Sequence, residues 1–217
     1  MFFMIVGCYH TFISIMEGKI MKTVKVLVAA SMAAALLAGC GSKTDTDTFR
    51  FASELDIQGM DSTVVDDGMS FNAIHAITDG LTAVNEKGKT APAIAKSWDV
   101  SDDGKTYTFH LRDAKWTNGD KVTANDFVYS WRKIIKDAGN YAYMLGSGGA
   151  SVKNADALME LGANATDEQM ATLGVTAKDD KTLVVELENK VPYFTDLMAF
   201  PCYFPQNEKF VEKCGKN

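Results

Sequence analysis

The chain has 217 residues, 47% of them hydrophobic, and carries 22 Lys and Arg against 28 Asp and Glu for a formal charge of −6. That balance leaves no basic surface for nucleic acid, and three histidines, one of them His10 near the start, argue against a dedicated metal site. An acidic surface suits solubility and cationic or zwitterionic ligands, and by itself says nothing of fold.

In chain order, Met1 to Met16 is apolar and uncharged and gives way to Glu17-Gly18-Lys19-Ile20 before a second, better start at Met21. Glu and Gly codons in succession read as a purine-rich ribosome-binding stretch, so Met21 is the preferred initiator and residues 1–20 are expected to be an upstream extension. A tandem membrane segment is the alternative. Residues 21–39 then have the plan of a secretory leader: Lys22 and Lys25, an apolar run from Val26 to Leu37, and small residues before a cut. The run is too short to span a bilayer, which needs about twenty apolar residues. Leu37-Ala38-Gly39-Cys40 resembles the bacterial lipobox, which implies acylation of Cys40 and cleavage before it.

Residues 40–48 read as a flexible tether, since Gly41 to Thr48 contains no apolar residue. The remainder, 49–217, is the size of one ordinary domain. Phe49 to Ala52 alternates as a first strand, the stretch from Leu55 to Asp67 is turn-rich, and Met69, Ala73, Ile74 and Ile77 lie at helical spacing with Gly80 as the stop. Gly80 to Asn85 reads as a strand, Ala91 to Ala95 as a short helical turn containing Pro92, and Trp98 to Val100 as a second strand. Asp102 to Lys105 and Asn118-Gly119 are turns. Tyr107, Phe109 and Leu111 share one face of the strand between them. Thr123 to Asp126 is close to a capping box and opens a helix with Phe127, Trp131, Ile134 and Ile135 on one side.

Tyr141 to Ala150 is irregular. Beyond it, Asp167 to Leu173 predicts a short helix, and Val175 to Ala177 with Thr182 to Leu187 a hairpin turned by Asp179 to Lys181. Helices are also expected over Val191 to Ala199 and Asn207 to Lys213, the latter stopped by Gly215. Interleaved strands and helices define a mixed α/β class. Trp98, Phe109, Trp116 and Trp131 are expected to fill the core, and His110 to be structural or superficial. With Cys40 assigned to the anchor, a Cys202–Cys214 disulfide is permitted by export but not argued by spacing. There is no Gly-x-Ser-x-Gly elbow and no serine or cysteine that names a histidine base, so catalytic residues are not expected.

Several motifs between Gly80 and Lys133 carry a resemblance: Pro92 to Trp98, Thr106 to Arg112, Lys115-Trp116-Thr117-Asn118-Gly119, and Val122 to Trp131. They are similar to those of the family-five extracellular solute-binding proteins of ABC importers, above all the oligopeptide-binding members, and the likeness continues to Glu212-Lys213. The resemblance implies the N-terminal lobe of a two-lobed periplasmic-binding-protein-like fold (type II, peptide-binding cluster), truncated here, because complete members are more than twice as long. It implies a peptide as ligand, held in a cleft between lobes, and permease and ATPase subunits as partners of a lipid-anchored, extracytoplasmic monomer. No cofactor is implied.

The family's ligand-contacting loop and aromatic fall on Asp66, Asp67 and Gly68 in the stretch to Ser70, and on Tyr141. A loop beside a cleft offers amides and carbonyls to an extended peptide, and a tyrosine offers a ring face and a hydroxyl. Tyr141 as an ordinary half-buried tyrosine, and Asp66 as a solvated acid in a turn, are the structural alternatives. Two departures stand out: Arg112 to Lys115 is one residue shorter than the family pattern, and Phe200 stands where some members have a polar residue. Receptors for nickel, haem or oligosaccharide, and a surface sensor or adhesin, are rival readings on the same scaffold.

Overall fold

Why Phe127, Trp131, Ile134 and Ile135 come together is clear from the helix they share: the computed structural model places all four out of solvent along Ala124–Lys136. The structure describes residues 52, 53 and 55–214. The leader, Cys40, the tether and all but Ala52 of the strand expected at 49–52 lie outside the described residues. From Ser53 on, the chain is one unit.

The first helix, α1, runs Gly68–Ile77. A two-stranded antiparallel ribbon follows, β1 (Thr82–Val84) with β2 (Thr90–Pro92). The helical turn expected at Ala91 to Ala95 is therefore corrected to strand. Pro92 lacks an amide hydrogen, which a short ribbon end tolerates, and Ala95 already begins β3 (Ala95–Val100). Strand β4 is Thr106–Leu111, and β5 (Val175–Asp179) and β6 (Thr182–Glu186) complete a sheet of order β3-β4-β6-β5 with every neighbour antiparallel. Gly104 (φ +71°) and Asp179, whose Oδ1 accepts from the Lys181 amide at 2.8 Å, turn the two hairpins.

Along β4 the residues alternate, with Tyr107, Phe109 and Leu111 buried and Thr106, Thr108 and His110 half-covered on the other face, as a one-sided antiparallel sheet requires. His110 bonds Asp99 at 2.8 Å on that outer face. Helix α2 (Ala124–Lys136) packs on the inner face over β5 and β6. It is opened by Asp126, whose Oδ2 accepts from the Thr123 amide at 2.7 Å. Trp131 is fully buried and donates Nε1 to the Tyr203 carbonyl at 3.0 Å. Deleting such a ring from a core costs about 3–5 kcal/mol. Trp98 and Trp116 are only partly buried, against the edge of the same core.

Helix α3 (Ala155–Leu161) has no sequence signal of the usual kind, because its cap, Asn154, is left-handed (φ 62°) and makes no side-chain cap bond. Helix α4 is Asp167–Met170, shorter than expected. The helix expected over Val191 to Ala199 shrinks to one turn, α5 (Phe194–Leu197). Phe200 precedes Pro201 and is extended (φ −90°, ψ 140°), a residue pushed out of helical angles by the ring that follows. Helix α6 is Glu208–Cys214. Gly80 does not stop α1, which ends at Ile77 with Thr78 extended. A side chain at Gly80 would instead strike the Met198 carbonyl and the Phe204 ring, so close approach is what requires glycine there. Cys202 is buried and Cys214 exposed, both as free thiols, so the permitted disulfide is absent. Among the described residues, no helix is long and apolar enough to cross a membrane.

Candidate ligand-binding site

The loop before α1 and the segment after α2 are far apart in sequence and meet in space. Asn140 donates Nδ2 to Asp66 Oδ2 at 2.7 Å, and the Phe71 ring meets Tyr141 edge-on with centroids 5.2 Å apart. A polar knot beneath holds the two segments together. Lys133 Nζ reaches Asp61 Oδ2 and Thr63 Oγ1, each at 2.7 Å, and Asp137 Oδ2 at 3.1 Å. Gln206 Nε2 donates to Asp61 Oδ1 at 2.7 Å. Burial opposes the charge on Asp61, but the bonds from Lys133, Thr63 and Gln206 outweigh it and hold the carboxyl below its ordinary value.

Local chain geometry completes the junction. Ala138 adopts a left-handed conformation (φ 49°) that turns the backbone out of α2, and Gly139 lies so close to the Thr63 carbonyl that a side chain there would collide with it. Asn140 and Tyr141 are thereby delivered to the loop.

Each expected site residue has a definite position. Asp66 is exposed and held by Asn140. Asp67 is the cap of α1: its Oδ1 accepts from the Ser70 amide at 2.8 Å, bonds from Ser70 keep its carboxyl below the ordinary value, and its Oδ2 is enclosed without a hydrogen-bond partner. Gly68 is the first residue of α1, and a side chain added there would meet nothing within 4 Å. It is therefore a helical residue with an open flank rather than part of a glycine-dependent turn. Ser70, which sequence reading did not single out within this stretch, accepts the Gln58 and Gly59 amides on Oγ at 3.0 and 3.2 Å.

Tyr141 is half-buried within a cluster of rings. Phe200 lies 5.3 Å from Tyr141 and 5.1 Å from Phe71 by ring centroids, and Tyr143 stacks on Tyr141 at 6.0 Å. Such tilted and edge-on separations are favourable aromatic geometry. Phe71 was not legible as a site residue, because no local pattern distinguishes it from any apolar residue of an amphipathic helix. The hydroxyls of Tyr107 and Tyr203 are taken up by the Val191 and Met144 carbonyls, whereas no group among the described residues bonds that of Tyr141 or Tyr143. The arrangement is an apolar shelf with free hydroxyls and an acidic border, suited to contact an amphipathic solute. Among the described residues, no group of three or more His, Cys, Asp or Glu could hold a metal ion.

The described residues thus form a mixed α/β unit that carries this cluster of rings. Residues 89–216 match the family described as bacterial extracellular solute-binding proteins, family 5 middle, and the chain belongs to that family. It is a family of solute-binding proteins, not of enzymes. The chain is 38% identical over 203 residues to the dipeptide-binding protein of Lactococcus lactis, covering 90% of this chain and 35% of that protein. It is 42% identical over 156 residues to the oligopeptide-binding protein OppA of Bacillus subtilis, covering 70% and 27%.

Among solved structures, it resembles the substrate-binding domain of an oligopeptide ABC transporter from Bacillus anthracis, with 41% identity, a TM-score of 0.70, and coverage of 76% of this chain and 31% of that one. Haemophilus influenzae OppA in complex with the peptide RPPGFSPFR is similar at 38% identity and a TM-score of 0.67, covering 73% and 30%. The chain thus spans about a third of the length of the curated relatives it matches, and its fold is part of that of the periplasmic peptide-binding proteins.

Proposed function

We propose that this chain is part of a lipid-anchored, extracytoplasmic receptor that captures peptides and delivers them to the permease and ATPase of an ABC importer. What supports the reading most directly is the meeting of the Asp66–Gly68 loop with Tyr141, where a ring face, free hydroxyls and helix-edge backbone lie side by side. A peptide offers amides, carbonyls and side chains in alternation, and such a mixed surface can engage all three. Peptide-binding relatives across 90% of the chain favour a peptide over nickel, haem or oligosaccharide. Side chains would be accommodated with bridging waters, which permit tolerance without severe loss of affinity.

Calorimetry on the receptor, extended to the length of its relatives, tests the reading with a small mixed library of short peptides. Binding across unrelated peptide sequences is expected. Binding of nickel or a sugar with no binding of any peptide would overturn it. Permease and ATPase genes found beside this one would favour import, and an isolated gene would favour sensing.

A further inference from the structure

Phe200 contacts both of the other rings of this shelf, Phe71 and Tyr141. It belongs to no helix: α5 ends before it, Pro201 fixes it extended, and its ring is directed back between Phe71 and Tyr141. Three elements distant in sequence thus contribute one ring each, and a fourth, Tyr143, extends the surface while remaining half exposed (51%). Phe71 is buried, but Tyr141 and Phe200 are only partly covered and pack against the core from outside. A polar side chain at 200 would put a hydrated group at the centre of this surface; phenylalanine makes it continuous aromatic carbon.

The border has the opposite character. Asp66 is exposed, and Asp67 next to it is held by the Ser70 amide at the start of α1. Apolar rings beside carboxylates complement a group that is apolar at one end and cationic or amide-bearing at the other. Within the peptide-receptor reading, on which this rests, we propose that Phe71, Tyr141 and Phe200 form a selective subsite for an apolar, above all aromatic, side chain of the bound peptide, with Phe200 setting the preference. The ring of the ligand would add to the edge-on and tilted contacts already present, and the free Tyr141 hydroxyl would bond the adjoining peptide backbone.

The test is a set of alanine tripeptides in which one Phe, or one Ser, is moved through the three positions, titrated into the full-length receptor. At one position the Phe peptide should bind about tenfold or more tighter than its Ser counterpart, the ratio expected from burying an aromatic side chain. Phe200→Asn should bring that ratio below about threefold, while Tyr141→Phe, which retains the ring, should preserve it. Far-UV circular dichroism and thermal unfolding confirm that both variants are folded. A Phe-to-Ser ratio unchanged in folded Phe200→Asn overturns the subsite, as does peptide binding by the parent protein with no positional preference for Phe. If no peptide binds the parent protein at all, the receptor reading falls and the subsite falls with it.

Discussion

Asn140 and Asp66 are 74 positions apart in sequence and 2.7 Å apart in space, amide nitrogen to carboxylate oxygen. This bond joins the loop that caps α1 to the segment that carries Tyr141. Both side chains are exposed, so water competes for each partner and the contribution to stability is small, about 1 kcal/mol or less. Its consequence is positional. Asn140→Ala should leave the unfolding midpoint nearly unchanged while weakening peptide binding about fivefold, the equivalent of roughly 1 kcal/mol of lost positioning. Parallel calorimetry and thermal denaturation check it; a large loss of stability with unchanged affinity would assign the bond to the scaffold.

Gly68 separates backbone contact from helix stability. Its side is open and its conformation helical, so Gly68→Ala should stabilise the fold by about 0.4–1 kcal/mol through reduced freedom of the unfolded chain. If an extended ligand lies against the start of α1, the added methyl should at the same time lower affinity. Denaturant titration and calorimetry on one preparation distinguish the two effects; a gain in stability without loss of binding would remove Gly68 from the site.

Most of the fold was legible because its signals are local. The alternation of Tyr107, Phe109 and Leu111, the glycine turn at Gly104 and the capping carboxylate of Asp126 each act within a few residues. The errors came where tertiary context overrides local preference. Ala91-Pro92 became strand because it pairs with Thr82-Ala83, and of the helix expected over Val191 to Ala199 only Phe194–Leu197 formed. Family resemblance pointed to Asp66–Gly68 and Tyr141, but the bond to Asn140, the ring of Phe71 and the knot around Lys133 depend on the approach of distant segments. No spacing in the chain encodes them.

Lys133 sets the acid sensitivity of that junction. Its side chain is 13% exposed against 41% for Asp61, so removing the ammonium leaves a partly enclosed carboxylate uncompensated. The cost of Lys133→Met should be about 1–3 kcal/mol, below that of a fully buried pair because solvent screens Asp61. The Asp61 carboxyl is held below its ordinary 3.8, so its contribution is present above that value and is lost as pH falls through the lower folded-state value. Lys133→Met should therefore raise the pH of acid unfolding. An unchanged acid midpoint, measured by tryptophan fluorescence, would show that Asp61 draws its stabilisation from Thr63 and Gln206.

Gly139 should tolerate no side chain. A methyl there would be driven into the Thr63 carbonyl and against the Ile134 side chain, and the Thr63 backbone cannot move without disturbing the Lys133 knot. Gly139→Ala should cost about 1–3 kcal/mol, lowering the melting temperature by roughly 2–4 °C per kcal/mol for a domain of this size. Affinity for peptide should fall with it, since Asn140 and Tyr141 follow directly. A stable variant with normal binding would mean that the two segments are not in register as described.

Cys40 lies outside the described residues, and the proposal that it is lipidated rests on the Leu37-Ala38-Gly39-Cys40 box behind a basic and then apolar leader. Acylation there would hold the receptor at the membrane. One acyl chain gives only marginal membrane affinity, whereas two or more give stable attachment, each buried methylene adding about 0.8 kcal/mol. The cysteine should therefore carry more than one chain, and the mature protein should begin at Cys40. Mass spectrometry of the membrane fraction should find an acylated peptide starting at that residue, and Cys40→Ala should move the protein out of that fraction. A Cys40→Ala protein that is still processed after Gly39 and remains on the membrane would show that another segment provides the anchor.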